Sequence, residues 1–180
     1  SWKGNYYLDK VTMQPDQLYN LLDSSDELPK TSQINERTFT NLYSQLASQY
    51  DAIIADGAIR SGKTSAMMIA FVLWAMDKFN GMNFGICSKT VRSCERNIIK
   101  VLLGVVYLQT HFTLHYTSTE GLLTISRGNK INYFYVFGGK DEASYMMIQG
   151  ITLAGILLDE VVLMPKSFVD MALGRCSVTG

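Results

Sequence analysis

The sequence has few cysteines, no net charge and no long hydrophobic run, and each shortage excludes a class of protein. The three cysteines, Cys87, Cys94 and Cys176, form no CxxC pair, which argues against a zinc knuckle and a disulfide framework and fits a reducing cytosol. The longest uninterrupted apolar run, 66–76, has 11 residues, whereas a membrane span needs about 20. We therefore expect no membrane partner, and nothing at the amino terminus resembles a signal peptide.

The overall composition is that of a globular protein. The 180 residues match one domain, and 16 basic residues balance 16 acidic ones, so any surface for nucleic acid must be local. Hydrophobic residues make up 47% and charged residues 18%, which excludes collagen, coiled-coil and acidic disordered chains. The chain opens with Ser1 and ends at Gly180, from which we expect an excised or processed piece.

Hydrophobic patterning predicts an α/β fold from residue 51 onward. We interpret 1–50 as an N-terminal helical extension, with a helix at 35–49, and 51–180 as the core domain. Strands and helices then alternate, which favours a three-layer sandwich with a mostly parallel sheet. The predicted elements are strands at 52–55, 83–88, 122–126, 133–137 and 151–158 and helices at 63–79, 91–103 and 166–173, with a hairpin turn near 128–129.

The segment 57–64 reads GAIRSGKT and fits the phosphate-loop pattern GxxxxGK[ST] between a hydrophobic strand and a helix. Its glycines let backbone N–H groups approach phosphate oxygens, and the helix N-terminus adds its positive dipole end. Lys63 is then expected to neutralise the β- and γ-phosphates of ATP, and the Thr64 hydroxyl to ligate Mg²⁺. The predicted nucleotide-binding residues are Gly57, Ala58, Ile59, Arg60, Ser61, Gly62, Lys63, Thr64 and Ser65.

A pair of acidic residues follows the apolar run of the last predicted strand. Asp159 is expected to hold the Mg²⁺ shell, while Glu160 polarises an attacking water. Arg60, three residues before Lys63, could reach the γ-phosphate in cis, or it could be an ordinary exposed arginine. The predicted catalytic residues are therefore Glu160, Arg60 and Lys63, and the predicted metal ligands are Thr64 and Asp159.

Other phosphate-loop enzymes fit less well. A GTPase requires NKxD, and the nearest segment, 129–132, reads NKIN and lacks the acid. A small-molecule kinase gains nothing from a water-activating glutamate, so the acidic pair favours an ATPase. His111 and His115 have no partner at ligand spacing, which argues against a metal site there.

Four basic residues recur at three- and four-residue intervals on the helix predicted at 91–103 and in the turn before it. They are expected to share one face, opposite an apolar face of Val91, Cys94, Ile98, Val101 and Leu102. This face is either a contact for DNA phosphates or an ordinary solvated surface. The four residues, called the basic stripe below, are Lys89, Arg92, Arg96 and Lys100.

The phosphate loop together with 138–178, GGKDEASYMMIQGITLAGILLDEVVLMPKSFVDMALGRCSV, resembles the large terminase subunit of tailed bacteriophages, of the prophage type. The resemblance covers about 50–178. It implies an ASCE/RecA-like P-loop NTPase fold and an ATPase that drives double-stranded DNA into the procapsid. It also implies the same roles for Lys63, Thr64, Asp159, Glu160 and Arg60 as those above.

The resemblance further implies a ring of subunits at the portal protein, a small terminase subunit as partner, and the cytoplasm of the infected or lysogenic host. An arginine or lysine from a neighbouring subunit is expected to act in trans, with Arg127, Lys140 and Arg175 as candidates. Gln33, Gln45 and Gln49 are candidates for adenine recognition. We expect the ATPase domain to be incomplete here and its coupling motif and nuclease domain to lie beyond Gly180, so no nuclease activity is expected of this chain.

Two alternatives stay open at this stage. A P-loop DNA helicase or recombinase-like ATPase would share the nucleotide residues but carry helicase motifs downstream of Glu160. A nucleotide-binding module without turnover would bind Mg-ATP and leave Glu160 unused.

Overall fold

The structure is a computed structural model that describes residues 63–177. These residues fall into two units, divided between Phe71 and Val72 within the first helix, and the following concerns mainly the second unit. The helix predicted at 35–49, the strand at 52–55 and the glycine-rich part of the phosphate loop at 57–62 lie outside the described residues.

Helices alternate with strands along the described chain, as the patterning predicts, except at 113–138, where three strands follow one another. A π-helical turn occupies Glu95–Ile99, and a 3₁₀ turn occupies Val161–Leu163. No helix between residues 63 and 177 has the length and apolar character that a membrane crossing requires. The remaining elements are α1 Lys63–Lys78, β1 Asn83–Ser88, α2 Val91–Cys94, α3 Lys100–Gly104, α4 Val106–His111, β2 Thr113–Thr117, β3 Leu122–Arg127, β4 Lys130–Gly138, α5 Glu142–Gln149, β5 Gly155–Leu158 and α6 Lys166–Gly174.

The five strands form one sheet in the order β2-β3-β4-β1-β5. β1 pairs in parallel with β4 on one side and with β5 on the other. β3 is antiparallel to both β2 and β4. Four strands therefore run in the same direction, and the predicted mostly parallel sheet is confirmed.

The sheet of the second unit is covered on both faces, as a mostly parallel sheet should be. On one face Phe84 stacks on Phe134 with ring centroids 5.0 Å apart, and Trp74 of α1 meets Phe84 edge-on at 5.9 Å. On the other face Cys87 and Phe137 share a buried cluster with apolar residues of α5 and α6. Helices on both sides of a sheet are the three layers expected from the sequence.

The hairpin prediction is confirmed, and its strands extend beyond the predicted limits. β3 ends at Arg127 and β4 begins at Lys130, so Gly128 and Asn129 make a two-residue turn, with Gly128 at φ 57°. β4 spans nine residues rather than the predicted five because it continues to the hairpin at one end and to Gly138 at the other.

The helix predicted at 91–103 begins where expected and is interrupted in its middle. Thr90 caps it through a capping box with Ser93. The π turn inserts one extra residue, which rotates the following turn relative to a regular helix. As a result Ile99 is 1% exposed and Val101 is 41% exposed, so the prediction that Val101 faces the core is wrong.

Other differences follow from local ambiguity in the pattern. The strand predicted at 151–158 begins only at Gly155. Leu153 is fully buried, but its only strand-like pairing is an isolated bridge with Cys176, so it is not part of β5. β2, α4 and α5 were not predicted. In α5, Ser144 and Ile148 are buried four residues apart, which is a weak helical signal.

Candidate active site

Three neighbouring parallel strands end at the same edge of the sheet, where ligands bind in α/β folds. β4 is followed by Gly139 and Lys140, β1 by Lys89, and β5 by the acidic pair. The sequence prediction placed Asp159 and Glu160 at the carboxyl end of a strand, and the structure has them there.

Asp159 is the residue that continues β5 into the loop. Its backbone N–H donates a 2.8 Å hydrogen bond to the carbonyl oxygen of Cys87, so its backbone still follows β1. Burial, and after it the negative charge of the Asp159 carboxylate, raises the pKa of the Cys94 thiol. The half-buried Asp159 carboxylate therefore interacts electrostatically with Cys94, the last residue of α2, which follows β1.

Glu160 adopts a left-handed backbone conformation, with φ 55° and ψ 43°. Among the described residues it is the only one other than glycine with a positive φ. Such a conformation costs about 1–2 kcal/mol for an ordinary side chain, and strain of this kind concentrates at functional sites. The side chain is exposed, and the Glu160 carbonyl accepts a 2.9 Å hydrogen bond from Leu163 that opens the 3₁₀ turn.

Lys63 and Thr64 are the first two residues of α1, as the phosphate-loop prediction requires. Thr64 and Ser65 are half-buried, and the first turn of α1 contains no acidic residue to offset the positive end of the helix dipole. The rest of the loop, including Arg60, lies outside the described residues.

The basic stripe is on the surface. Arg92, Arg96 and Lys100 are exposed and Lys89 is half-buried. Arg96 donates a 3.0 Å hydrogen bond to the side chain of Asn97, and none of the four forms an ion pair with a described carboxylate.

The turn after β4 is tightly built. The Asp141 carboxylate accepts a 3.2 Å hydrogen bond from the backbone N–H of Val91, and the buried Ser144 hydroxyl accepts one of 2.9 Å from the N–H of Gly138. A Cβ on Gly138 would stand 2.7 Å from the Val91 nitrogen, so only glycine fits there.

The candidates for a trans-acting cation lie at three separate places. Arg127 ends β3, with its guanidinium 5.7 Å from the ring centre of Phe112, and Arg175 caps α6. Lys140 follows β4, and its backbone N–H donates to the carbonyl of Lys89. Sequence reasoning missed this proximity to the basic stripe, although both lysines follow adjacent parallel strands.

The described residues contain no cluster of titratable side chains that suggests a preformed metal site. Between residues 63 and 177, no three His, Cys, Asp or Glu side chains are placed to share a metal ion. His111 stacks on Tyr107 with ring centroids 4.2 Å apart.

Comparison with solved structures identifies the fold and then the family. The ATPase domain of the large terminase of Thermus phage P74-26 matches with a TM-score of 0.50 at 16% identity, covering 65% of this chain and 51% of that one. A second large terminase, from a thermophilic bacteriophage, matches with a TM-score of 0.74 at 44% identity, covering 80% of this chain and 36% of that one. The same second terminase in complex with ATP-gamma-S matches at 40% identity with a TM-score of 0.68, over 80% of this chain and 35% of that one.

The fold is that of P-loop NTPases. The chain belongs to the large terminase family and corresponds to its ATPase domain. It spans about a third of the length of the relative that is 44% identical to it.

Two further comparisons of this chain with known proteins identify no additional family. A profile described as an uncharacterised protein of the DegV family matches residues 1–66, which is less than half of the chain. Among curated proteins, none matches this chain.

Proposed function

We propose that this chain binds and hydrolyses Mg-ATP as the ATPase of a viral DNA-packaging motor. The observation that carries the proposal is the 40% identity, over 80% of this chain, to a large terminase whose structure contains ATP-gamma-S. Membership of that family leaves no support for the helicase or recombinase-like alternative. A nucleotide-binding module without turnover is separated from the proposal by experiment.

The phosphates of ATP would be held by residues 57–65. Backbone N–H groups of the glycine-rich loop donate to phosphate oxygens, and Lys63 supplies the positive charge for the β- and γ-phosphates. The start of α1 at Lys63 supports this role, because a helix N-terminus free of acidic residues favours an anion. Arg60 would contact the γ-phosphate from within the loop.

Mg²⁺ would be held by the Thr64 hydroxyl and the Asp159 carboxylate. The donor chemistry fits, because Mg²⁺ takes hard oxygen ligands and is bound by one or two carboxylates together with substrate phosphates. The ion supplies charge neutralisation to the phosphates when it is bound. Asp159 is suited to the task because its backbone remains hydrogen-bonded to β1.

Glu160 would orient and polarise the water that attacks the γ-phosphate. Its carboxylate follows that of Asp159 directly, and the left-handed backbone directs the chain away from the strand at this residue. The exposed side chain is accessible to a water molecule and to a phosphate. The two neighbouring carboxylates thus divide metal binding and water activation between them.

The partners follow from membership of the family. We propose double-stranded DNA, a portal protein and a small terminase subunit as partners, a ring of subunits as the assembly, and the bacterial host cytoplasm as the location. The basic stripe, Lys89, Arg92, Arg96 and Lys100, is the proposed contact for DNA phosphates, and three of its four members are exposed. A trans-acting cation from a neighbouring subunit would complete the ATP site.

Steady-state ATP hydrolysis by Glu160→Gln and wild type tests the proposal. We expect the variant to keep Mg-ATP affinity and lose about 10²–10⁴ in kcat, because only water activation is removed. Glu120→Gln, an exposed glutamate in the turn before β3, is the matched control and should retain the wild-type rate.

A second variant checks the phosphate loop itself. Lys63→Ala should weaken binding of ATP-gamma-S, because the charge opposite the β- and γ-phosphates is lost. Wild-type chain that binds ATP-gamma-S but shows no turnover at any protein concentration would favour a nucleotide-binding module. Unchanged affinity in Lys63→Ala would contradict the assignment of the phosphate site.

A further inference from the structure

We propose that Lys140 is a DNA-binding residue that acts together with Lys89 and extends the basic stripe onto the loop after β4. The partner chemistry is the phosphodiester backbone of a DNA duplex. The inference rests on the proposed function and adds to it a residue far from the stripe in sequence. Lys140 is exposed and Lys89 is half-buried.

The backbone brings the two lysines together. Beyond the last paired residues of β1 and β4, the N–H of Gly139 donates to the carbonyl of Ser88 at 2.8 Å, and the N–H of Lys140 donates to the carbonyl of Lys89 at 3.2 Å. Chains paired in this way run about 4.8 Å apart. Because a lysine side chain is longer than that separation, both ammonium groups can reach one phosphate or two adjacent ones.

Two nearby carboxylates accept hydrogen bonds from groups other than these lysines. The carboxylate next to Lys140 belongs to Asp141, which accepts the N–H of Val91 at 3.2 Å. Glu95, on the helix after Lys89, accepts the phenol of Tyr116 at 2.7 Å. Among described residues neither lysine forms an ion pair, so both charges are available to an anionic ligand.

Neutral donors adjoin Lys140. A shallow recess beside it is lined by the aromatic side chain of Tyr145, which is 37% exposed, and by the exposed Ser167. Lysine, tyrosine and serine side chains are among those that donate hydrogen bonds to DNA phosphates. Phe168, which is 1% exposed and belongs to the core, also lines the recess.

The loop that carries Lys140 is held firmly. The buried Ser144 hydroxyl accepts the N–H of Gly138, and the capping box of Thr90 and Ser93 fixes the turn that carries Lys89. A ligand that binds two cations on ordered backbone loses less conformational entropy than one that must order a loop. The backbone that carries the two cations is therefore preorganised for binding a phosphate.

Lys140 lies two strands away from the acidic pair in the strand order of the sheet. β4, which ends before Lys140, is separated from β5, which ends before Asp159, by the whole of β1. Two strand spacings are about 10 Å. A duplex extends over many such spacings and offers a phosphate about every 3.4 Å along each strand.

The test is the salt dependence of binding to a fluorescent duplex of about 30 base pairs by the 180-residue chain. We expect the slope of log K against log salt to fall in magnitude by about 0.9 in Lys140→Ala and by about 1.8 when Lys89→Ala is added. Lys130→Ala is the matched control, because Lys130 is an exposed lysine at the opposite end of β4. Its slope should equal that of wild type. The Lys140→Ala change keeps the hydrogen bond to Lys89, which uses only backbone atoms.

Each contrary result overturns a distinct statement. Wild-type binding with an unchanged slope in Lys140→Ala overturns the role of Lys140 and leaves DNA as the partner. An unchanged slope together with a raised KM for ATP would assign Lys140 to the nucleotide and also overturn this inference. Failure of the wild-type chain to bind the duplex would overturn both this inference and DNA as the partner in the proposed function.

Discussion

The phenol of Tyr116 donates a 2.7 Å hydrogen bond to the carboxylate of Glu95. Tyr116 lies on β2 at the edge of the sheet, and Glu95 is the first residue of the π turn. π turns within α-helices are uncommon and are frequent at functional sites. The bond therefore joins the sheet edge to the point at which the helix carrying the basic stripe departs from α geometry.

Tyr116→Phe should lower the free energy of unfolding at pH 8 by about 1–2 kcal/mol, because a hydrogen bond to a charged acceptor is lost. Burial, with the Glu95 hydrogen bond next, raises the pKa of Tyr116 above its ordinary value of 10.0. As the pH rises, Tyr116 therefore ionises at a lower pH in the unfolded chain than in the folded one. The stability that the neutral phenol contributes is complete below pH about 10 and declines above it. Urea unfolding at pH 8 and pH 11 should show the difference between variant and wild type shrinking; a constant difference would contradict this.

Asn132→Leu should destabilise the fold by about 2–4 kcal/mol, because three backbone groups lose their hydrogen bonds to a fully buried amide. The fully buried Asn132 amide donates to the carbonyls of Ala75 and Phe79, at 3.0 and 3.1 Å, and its oxygen accepts the N–H of Met82 at 3.0 Å. Asn80→Ala removes one exposed hydrogen bond to the residue before Asn132 and should cost under about 1 kcal/mol in the same urea experiment. Equal losses would mean that burial of the amide network is unimportant.

Gly138→Ala should lower the free energy of unfolding by about 1–3 kcal/mol, because its Cβ would stand 1.8 Å from an Asp141 carboxylate oxygen and 2.7 Å from the Val91 nitrogen. Adding Asp141→Ala should recover only part of this loss, since the backbone nitrogen remains. Gly104→Ala is the control, because nothing lies within 4 Å of its Cβ, and thermal unfolding should place it within about 0.5 kcal/mol of wild type. A Gly138→Ala variant as stable as this control would refute the close approach.

Glu160→Asn should be more stable than Glu160→Gln by about 0.5–1 kcal/mol. Both changes replace the carboxylate with an amide, but asparagine tolerates the left-handed region in which Glu160 lies, at φ 55°, better than glutamine does. Both variants should hydrolyse ATP slowly, since each lacks the carboxylate. Chemical unfolding of the two proteins measures the difference, and equal stabilities would show that the backbone at 160 relaxes in the variants.

Local signals predicted much of the fold. Gly128 supplies the positive φ that a two-residue hairpin needs, so the turn could be read from neighbouring residues. β2 was missed because its pattern is mostly polar and only half-buried, as expected for a strand at the edge of a sheet. The π turn has no sequence signal, so the burial of Ile99 in place of Val101 depended on tertiary packing.

The sequence predicted the part of the candidate site that lies directly after a single strand. An apolar run followed by two acids placed Asp159 and Glu160 correctly at a strand end. The proximity of Lys140 to Lys89 depends on which strands pair and in what register, which the sequence does not state. The left-handed conformation of Glu160 depends on the surrounding loop, and glutamate gives no sign of it.

The change of backbone conformation between Asp159 and Glu160 has an evolutionary consequence. Asp159 is still held by Cys87 in the sheet, whereas Glu160 is the first residue outside it and lies in a region of higher energy. Substitutions in the turn after Glu160 can therefore redirect its carboxylate while the position of Asp159 is maintained by the sheet. With the proposed roles, natural selection can adjust the rate of ATP hydrolysis through this turn and leave the affinity for Mg-ATP intact.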